Sequence, residues 1–131
     1  MAARIRWLTV REVYAFHDLA LSEHGGMPGL RDAGLLESAV LRPKTAYEYG
    51  TSDLAELPAK LGFGLVSNHA FLDGNKRTAF ASVHTFLLVN GYDLKVDSPS
   101  AYKFVSGAIA KGEFRFSLIL NWLTTRIVQL G

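Results

Sequence analysis

Cysteine is absent from all 131 residues, which excludes disulfides, thiolate nucleophiles and thiolate-held metals and fits a reducing compartment. Long apolar runs are missing as well. No segment approaches the roughly 18 uninterrupted apolar residues of a membrane span, and Arg4 and Arg6 are not followed by an apolar stretch of signal-peptide length. The formal charge of +2 is spread along the chain, with no basic run and no aromatics interleaved among lysines, so an extended nucleic-acid groove is not indicated. Repeats, low-complexity tracts, a Walker loop, a nucleophile elbow and an HExxH helix are also lacking. These absences lead to the expectation of a soluble, cytoplasmic protein with no direct nucleic-acid or membrane partner.

What is present describes one all-α domain over residues 1–131, with 49% apolar residues available for a single core. Thr9 and Glu12 have capping-box spacing, and a stripe through Val10, Val13, Ala20 and Leu21 runs until Gly25-Gly26 stops it. Asp32 caps a second helix that should end at Pro43, which cannot donate a backbone hydrogen bond. From Lys44 to Ser52 the pattern alternates, with Thr45, Tyr47 and Tyr49 set against Ala46 and Glu48. A short extended flap and an exposed loop with its tyrosines packed back are both open here. Asp53 caps a third helix with Pro58 in its first turn, and Gly62 and Gly64 read as close-packing positions rather than a dinucleotide fingerprint. A fourth helix, apolar almost all round and therefore central, ends at Asn90-Gly91. Ser98-Pro99 opens a fifth helix, and Ser117 caps a sixth that includes Ile127 and Val128.

The residues suited to phosphate chemistry are concentrated between the third and fourth helices, from Asn68 to Thr78. If the fourth helix begins near Asn75, the amides of Gly74, Asn75, Lys76 and Arg77 are unpaired donors at the positive end of its dipole, a ready anion site. Gly74 admits close approach of a phosphate oxygen, the Asn75 side chain can add an NH donor, and Lys76 and Arg77 add charge. A carboxylate at Asp73 beside phosphates calls for an intervening cation, which magnesium supplies. His69 is then the base for an attacking hydroxyl, because imidazole exchanges protons near neutral pH. Phe71 reads as an anchor for the loop. His17, His24 and His84 lie on separate helices and give no zinc-ligand spacing. The cluster as a whole describes transfer of a phosphorus-centred group from a nucleotide to a hydroxyl.

The run His69-x-Phe71-x-Asp73-Gly74-Asn75-Lys76-Arg77 resembles the signature of the Fic/Doc superfamily, and the chain resembles its death-on-curing (Doc) toxins. The likeness extends to His17-Asp18, Gly25-Gly26, Gly34-Leu35-Leu36-Glu37-Ser38, Arg42-Pro43 and Asn90-Gly91-Tyr92. It implies a compact six-helix fold with the flap between helices 2 and 3. It also implies His69 as catalytic base, Asp73 as magnesium ligand, Gly74 and Asn75 in the phosphate nest, and Arg77 as a phosphate clamp. Thr45, Ala46, Tyr47, Glu48 and Tyr49 would align the target by strand addition. By the same resemblance, the donor is ATP, the transferred group its terminal phosphate, the acceptor a threonine or serine hydroxyl of translation elongation factor Tu, and the inhibitor a Phd-type antitoxin.

Fic-type relatives transfer AMP instead. Ala70 and Lys76 depart from their usual proline and glycine and point to phosphate transfer, whereas Gly74 is their choice and points the other way. No glutamate is followed by Gly or Asn, so the inhibitory helix of many Fic proteins is not encoded. A third reading is a non-catalytic, antitoxin-binding co-regulator that retains the turn as a connection.

Overall fold

The computed structural model describes residues 4–131, so positions 1–3 of the expected domain lie outside it. Among the described residues it contains six helices: α1 (Val10–His24), α2 (Ala33–Glu48), α3 (Glu56–Asn68), α4 (Asn75–Val89), α5 (Ser98–Ala110) and α6 (Phe116–Thr124). Two three-residue strands, β1 (Tyr92–Leu94) and β2 (Ile127–Gln129), pair antiparallel with Leu94 opposite Ile127. No helix among these residues is long and apolar enough to cross a membrane.

The local signals for α1 are realised in full. Thr9 accepts from the Glu12 amide at 3.2 Å, and Glu12 accepts from the Thr9 amide at 2.9 Å, which closes the capping box. Arg6 adds a two-pronged contact to the same carboxylate, at 2.9 and 2.6 Å. Its hydrogen bond, the largest influence, pulls the Glu12 pKa down to about 2. A depressed carboxylate contributes stability above its unfolded pKa of about 4.3 and loses it as pH falls through the folded value. The pair is solvent-screened, so its contribution is below about 1 kcal/mol. Glu12→Gln, which keeps the capping geometry, should therefore lower Tm by no more than about 4 °C at neutral pH. That difference should vanish in acid melts approaching pH 2.

α4 is the shared wall of two apolar clusters. On one side Ala79 and Phe86 join Val13, Leu36, Val40, Leu57, Leu61 and Phe71; on the other Val83 and Leu87 join Ala59, Leu94, Ile119 and Leu123. Its buried hydroxyls are satisfied within the helix, Thr78 donating to the Gly74 carbonyl and Ser82 to that of Thr78. A Cβ at Gly62 would meet Val83 Cγ2 at 2.9 Å, so the glycine is what lets α3 approach α4. This central helix fixes where its own N-terminus emerges, and that end carries the clustered polar residues.

Pro43 does not end α2, and the extended flap is corrected with it: Thr45, Ala46, Tyr47 and Glu48 form the last helical turn, with Tyr49 as its C-cap. The proline forfeits one backbone bond, but it is buried along with Ala39 and Val40, and α2 lies so close to α3 that a Cβ at Gly64 would sit 3.4 Å from Ala39. Packing outweighs the local stop. Tyr47 tilts onto Trp7 at 5.6 Å between ring centroids, while Tyr49 is 89% exposed. In this conformation the amides of residues 45–48 lie within the last helical turn and present no extended strand edge. Smaller corrections concern caps: Asp97 rather than Ser98 caps α5, Arg115 rather than Ser117 precedes α6, and α3 starts at Glu56 behind the Asp53 turn. Ile127 and Val128 leave the helix for β2, where β-branched side chains are favoured.

Candidate active site

α3 ends at Asn68, and His69 follows as its C-cap with φ 49° and ψ 51°, making it the sole non-glycine residue with positive φ among those described. A left-handed conformation costs an ordinary residue about 1–2 kcal/mol, so something must hold it. Arg31 does this, donating to the His69 carbonyl at 2.7 Å and to that of Asn68 at 2.9 Å. The same segment clamps the next residues: the amides of Arg31 and Asp32 both donate to the Ala70 carbonyl, and the Leu72 amide donates to Gly29. Leu30 and Phe71 consequently form an antiparallel bridge. Arg31→Met removes the guanidinium while keeping much of the stem. It is expected to cost about 1–2 kcal/mol in a denaturant melt and to slow any reaction of His69 about tenfold, by loosening its backbone.

Phe71 is 1% exposed and anchors the turn as expected. Asn75 was expected to offer its side-chain NH to phosphate; instead Nδ2 donates to the Phe71 carbonyl at 3.0 Å, and Oδ1 accepts from the Phe71 amide at 3.1 Å. Both ends of the buried amide side chain thus take part in closing the loop. Gly74 is the N-cap of α4 at φ 78°, without a side-chain cap, and its own amide is taken by Asp73 Oδ1 at 2.9 Å. The first intrahelical bond runs from the Thr78 amide to the Gly74 carbonyl at 3.0 Å. The first-turn amides of Asn75, Lys76 and Arg77 accordingly have no intrahelical acceptor, leaving a row of three donors on the dipole's positive end.

Asp73 stands exposed beside this row. Its Oδ2 accepts from the Met27 amide at 3.2 Å. That bond first, then the one from Gly74, with Lys76 and Arg77 adding smaller attractions, holds its pKa below the usual carboxylate value. The approach of Met27 depends on Gly26, where a Cβ would lie 2.8 Å from Asp73 Oδ2. Among the described residues no three His, Asp or Glu side chains converge as a metal-binding group. An ionised, oriented and exposed carboxylate still fits a hard cation that draws its remaining ligands from phosphate and water.

Lys76 and Arg77 form no ion pair among the described residues; both lie over the Tyr102 ring of α5, at 5.2 Å for Nζ and 4.1 Å for the guanidinium carbon. Arg77 also lines a groove of about 680 Å³ with His24, Ser98, Tyr102, Lys103 and Ser106. An aromatic face holds the two cations near the amide row without neutralising them. His17, which carries part of the family likeness but received no role from sequence, is 1% exposed and donates from Nε2 to the Asp73 carbonyl at 2.8 Å. It shares the buried face of α1 with Val13, one turn away, but nothing local named its partner.

A family model described as the Fic/DOC family matches residues 7–87. The chain belongs to the Fic/Doc family. The match contains the His69–Arg77 turn and the α1–α2 segment that clamps it, and it leaves out α5 and Tyr102. The chain is 36% identical over 121 residues to a protein of Escherichia phage P1 named protein kinase doc, an alignment covering 91% of this chain and 94% of that one. It is 47% identical over 76 residues to a protein of Mycolicibacterium smegmatis named toxin Doc, covering 56% of this chain and 58% of that one. The Fic/Doc family is one of group-transferring enzymes. The six helices found here are consistent with a compact all-α domain of this family.

Proposed function

We propose that this protein is the toxin of a toxin–antitoxin pair, a kinase that moves the terminal phosphate of ATP to a threonine or serine hydroxyl of a target protein in the cytoplasm. The observation that carries this reading is the start of α4, where three first-turn amides, two cations that form no ion pair among the described residues and one ionised carboxylate converge. The names of the phage P1 and mycobacterial relatives, a protein kinase and a toxin, support the same reading. The proposed target is translation elongation factor Tu, whose modification would arrest translation, and the proposed inhibitor is a Phd-type antitoxin.

In this mechanism the imidazole of His69 accepts the proton of the target hydroxyl as its oxygen attacks the terminal phosphorus. The bond from phosphorus to the bridging oxygen breaks, and ADP departs with the electron pair. Negative charge on the phosphate oxygens is met by the amides of Asn75, Lys76 and Arg77 and by the Arg77 guanidinium, all positioned beforehand. Asp73 would hold magnesium, which would draw charge from the phosphates. With the side chain of Asn75 closing the loop, its share of the nest is its backbone amide alone.

A second reading, AMP transfer by the same residues, draws on Gly74, which leaves the N-cap of α4 free of a side chain. ATP labelled on the terminal or the innermost phosphate distinguishes the two. Label from the terminal phosphate alone should appear on the target, and chelation of magnesium should abolish it. Label from the innermost phosphate would replace the kinase reading with AMP transfer.

A further inference from the structure

His17 is costly to bury, and packing does not explain it. Its ring lies 3.7 Å from that of Phe71 at an interplanar angle of 9°, with Tyr14 edge-on at 6.2 Å. A phenyl ring would fill that space without polar atoms, whereas the imidazole leaves Nδ1 buried with no partner. An unpaired buried nitrogen is unfavourable. Among the described residues, the sole polar contact of the ring is from Nε2 to the Asp73 carbonyl at 2.8 Å. A carbonyl only accepts, so Nε2 carries a proton.

The bonded carbonyl belongs to the peptide joining Asp73 to Gly74, which precedes α4 and lies outside any helical ladder. A peptide is planar, so holding its C=O also fixes the direction of its N–H. That N–H is the one bonded to Asp73 Oδ1. The ring also backs Gly74, where a Cβ would lie 3.5 Å from His17 Cδ2. One buried donor thereby sets both the carboxylate and the residue from which the amide row starts.

We infer that His17 is a positioning residue of the transfer site, whose Nε2–H holds the Asp73–Gly74 peptide so that the Asp73 carboxylate and the α4 amides face a magnesium-bound triphosphate together. This rests on the phosphate-transfer reading for its ligand, though not for its geometry.

Two substitutions separate the donor from the ring. His17→Phe keeps the stack on Phe71 and removes the donor; His17→Gln keeps a donor near the Nε2 position and removes the ring. In the folded Phe variant, binding of magnesium with a non-hydrolysable ATP analogue, measured by calorimetry, should weaken about 10- to 100-fold, as for other residues that orient a metal ligand. The Gly74 amide should exchange with solvent faster, and the Gln variant should recover most of both losses. Wild-type binding and Gly74 protection in the Phe variant would overturn the inference, as would equal losses in the two variants. Should the Phe variant not fold, the long-range proton–nitrogen spectrum of the wild type decides. A ring protonated at Nε2 supports the inference, and a neutral ring protonated at Nδ1 alone overturns it. If the wild type binds no magnesium nucleotide, the transfer reading falls, and Gly74 exchange alone then decides the positioning claim.

Discussion

His69→Ala should slow transfer of phosphate to the target by about 10²–10⁴-fold, the range supplied by a positioned general base, while the fold persists. The imidazole is exposed and its backbone is held from outside, by Arg31 on the two carbonyls that end α3. Alanine in the left-handed conformation adds strain similar to that which histidine already bears, so Tm should shift by only a few degrees. Nucleotide binding should be retained, because the amides of α4 and the cations over Tyr102 are untouched. Stopped-time assays of the purified variant at saturating ATP check the rate, and calorimetry checks the binding. A variant with the rate of the wild type would remove His69 from the chemistry. Growth arrest that persisted unchanged at matched expression would favour the non-catalytic role instead.

Asn75→Ala should have the largest effect on stability, and a large one on activity as well. Removing this side chain leaves the amide and the carbonyl of Phe71 buried without partners. Each such group costs about 1–3 kcal/mol, so a loss of roughly 2–6 kcal/mol is expected. For a domain of this size that lowers Tm by on the order of 10 °C. The turn between Phe71 and Gly74 would also lose its brace, and a displacement of about 1 Å there is enough to cost a factor near 10² in rate. Thermal melts alongside activity at a temperature where the variant is folded separate the two effects. Were Asn75 a phosphate ligand through its side chain, as first expected from sequence, the substitution would weaken nucleotide binding and leave Tm nearly unchanged.

Much of this was legible where the cause is local. The Thr9–Glu12 box, the Asp32 cap, the Gly25 and Gly91 stops and the central place of α4 between two apolar clusters each depend on residues within one or two turns of each other. The clustering of polar groups at the start of α4 was legible for the same reason: Asp73, Gly74 and the two cations are consecutive in the chain. What escaped depends on contacts between distant segments. Pro43 stays inside α2 because α3 packs against it, and no property of residues 44–52 announces that. Ile127 leaves α6 because β1, formed more than thirty residues earlier, offers it a partner.

The supports of the active turn were hidden for a related reason. Arg31, Gly26, Gly29 and His17 all come from upstream segments and reach the turn only in the folded chain. Asn75 shows a subtler limit. Its position in the motif was visible, but whether an amide side chain turns out to a ligand or inward to the backbone is decided by burial. The same fold that presents Asp73 to solvent draws Asn75 into the core.

The central claim, that the His69–Arg77 turn transfers a terminal phosphate to a protein hydroxyl, is tested most directly by intact-mass measurement of elongation factor Tu after incubation with this protein, ATP and magnesium. A gain of one phosphate is predicted, absent with His69→Ala and absent when magnesium is chelated. A gain of one AMP, or a target of unchanged mass under conditions where the protein arrests translation, would contradict it.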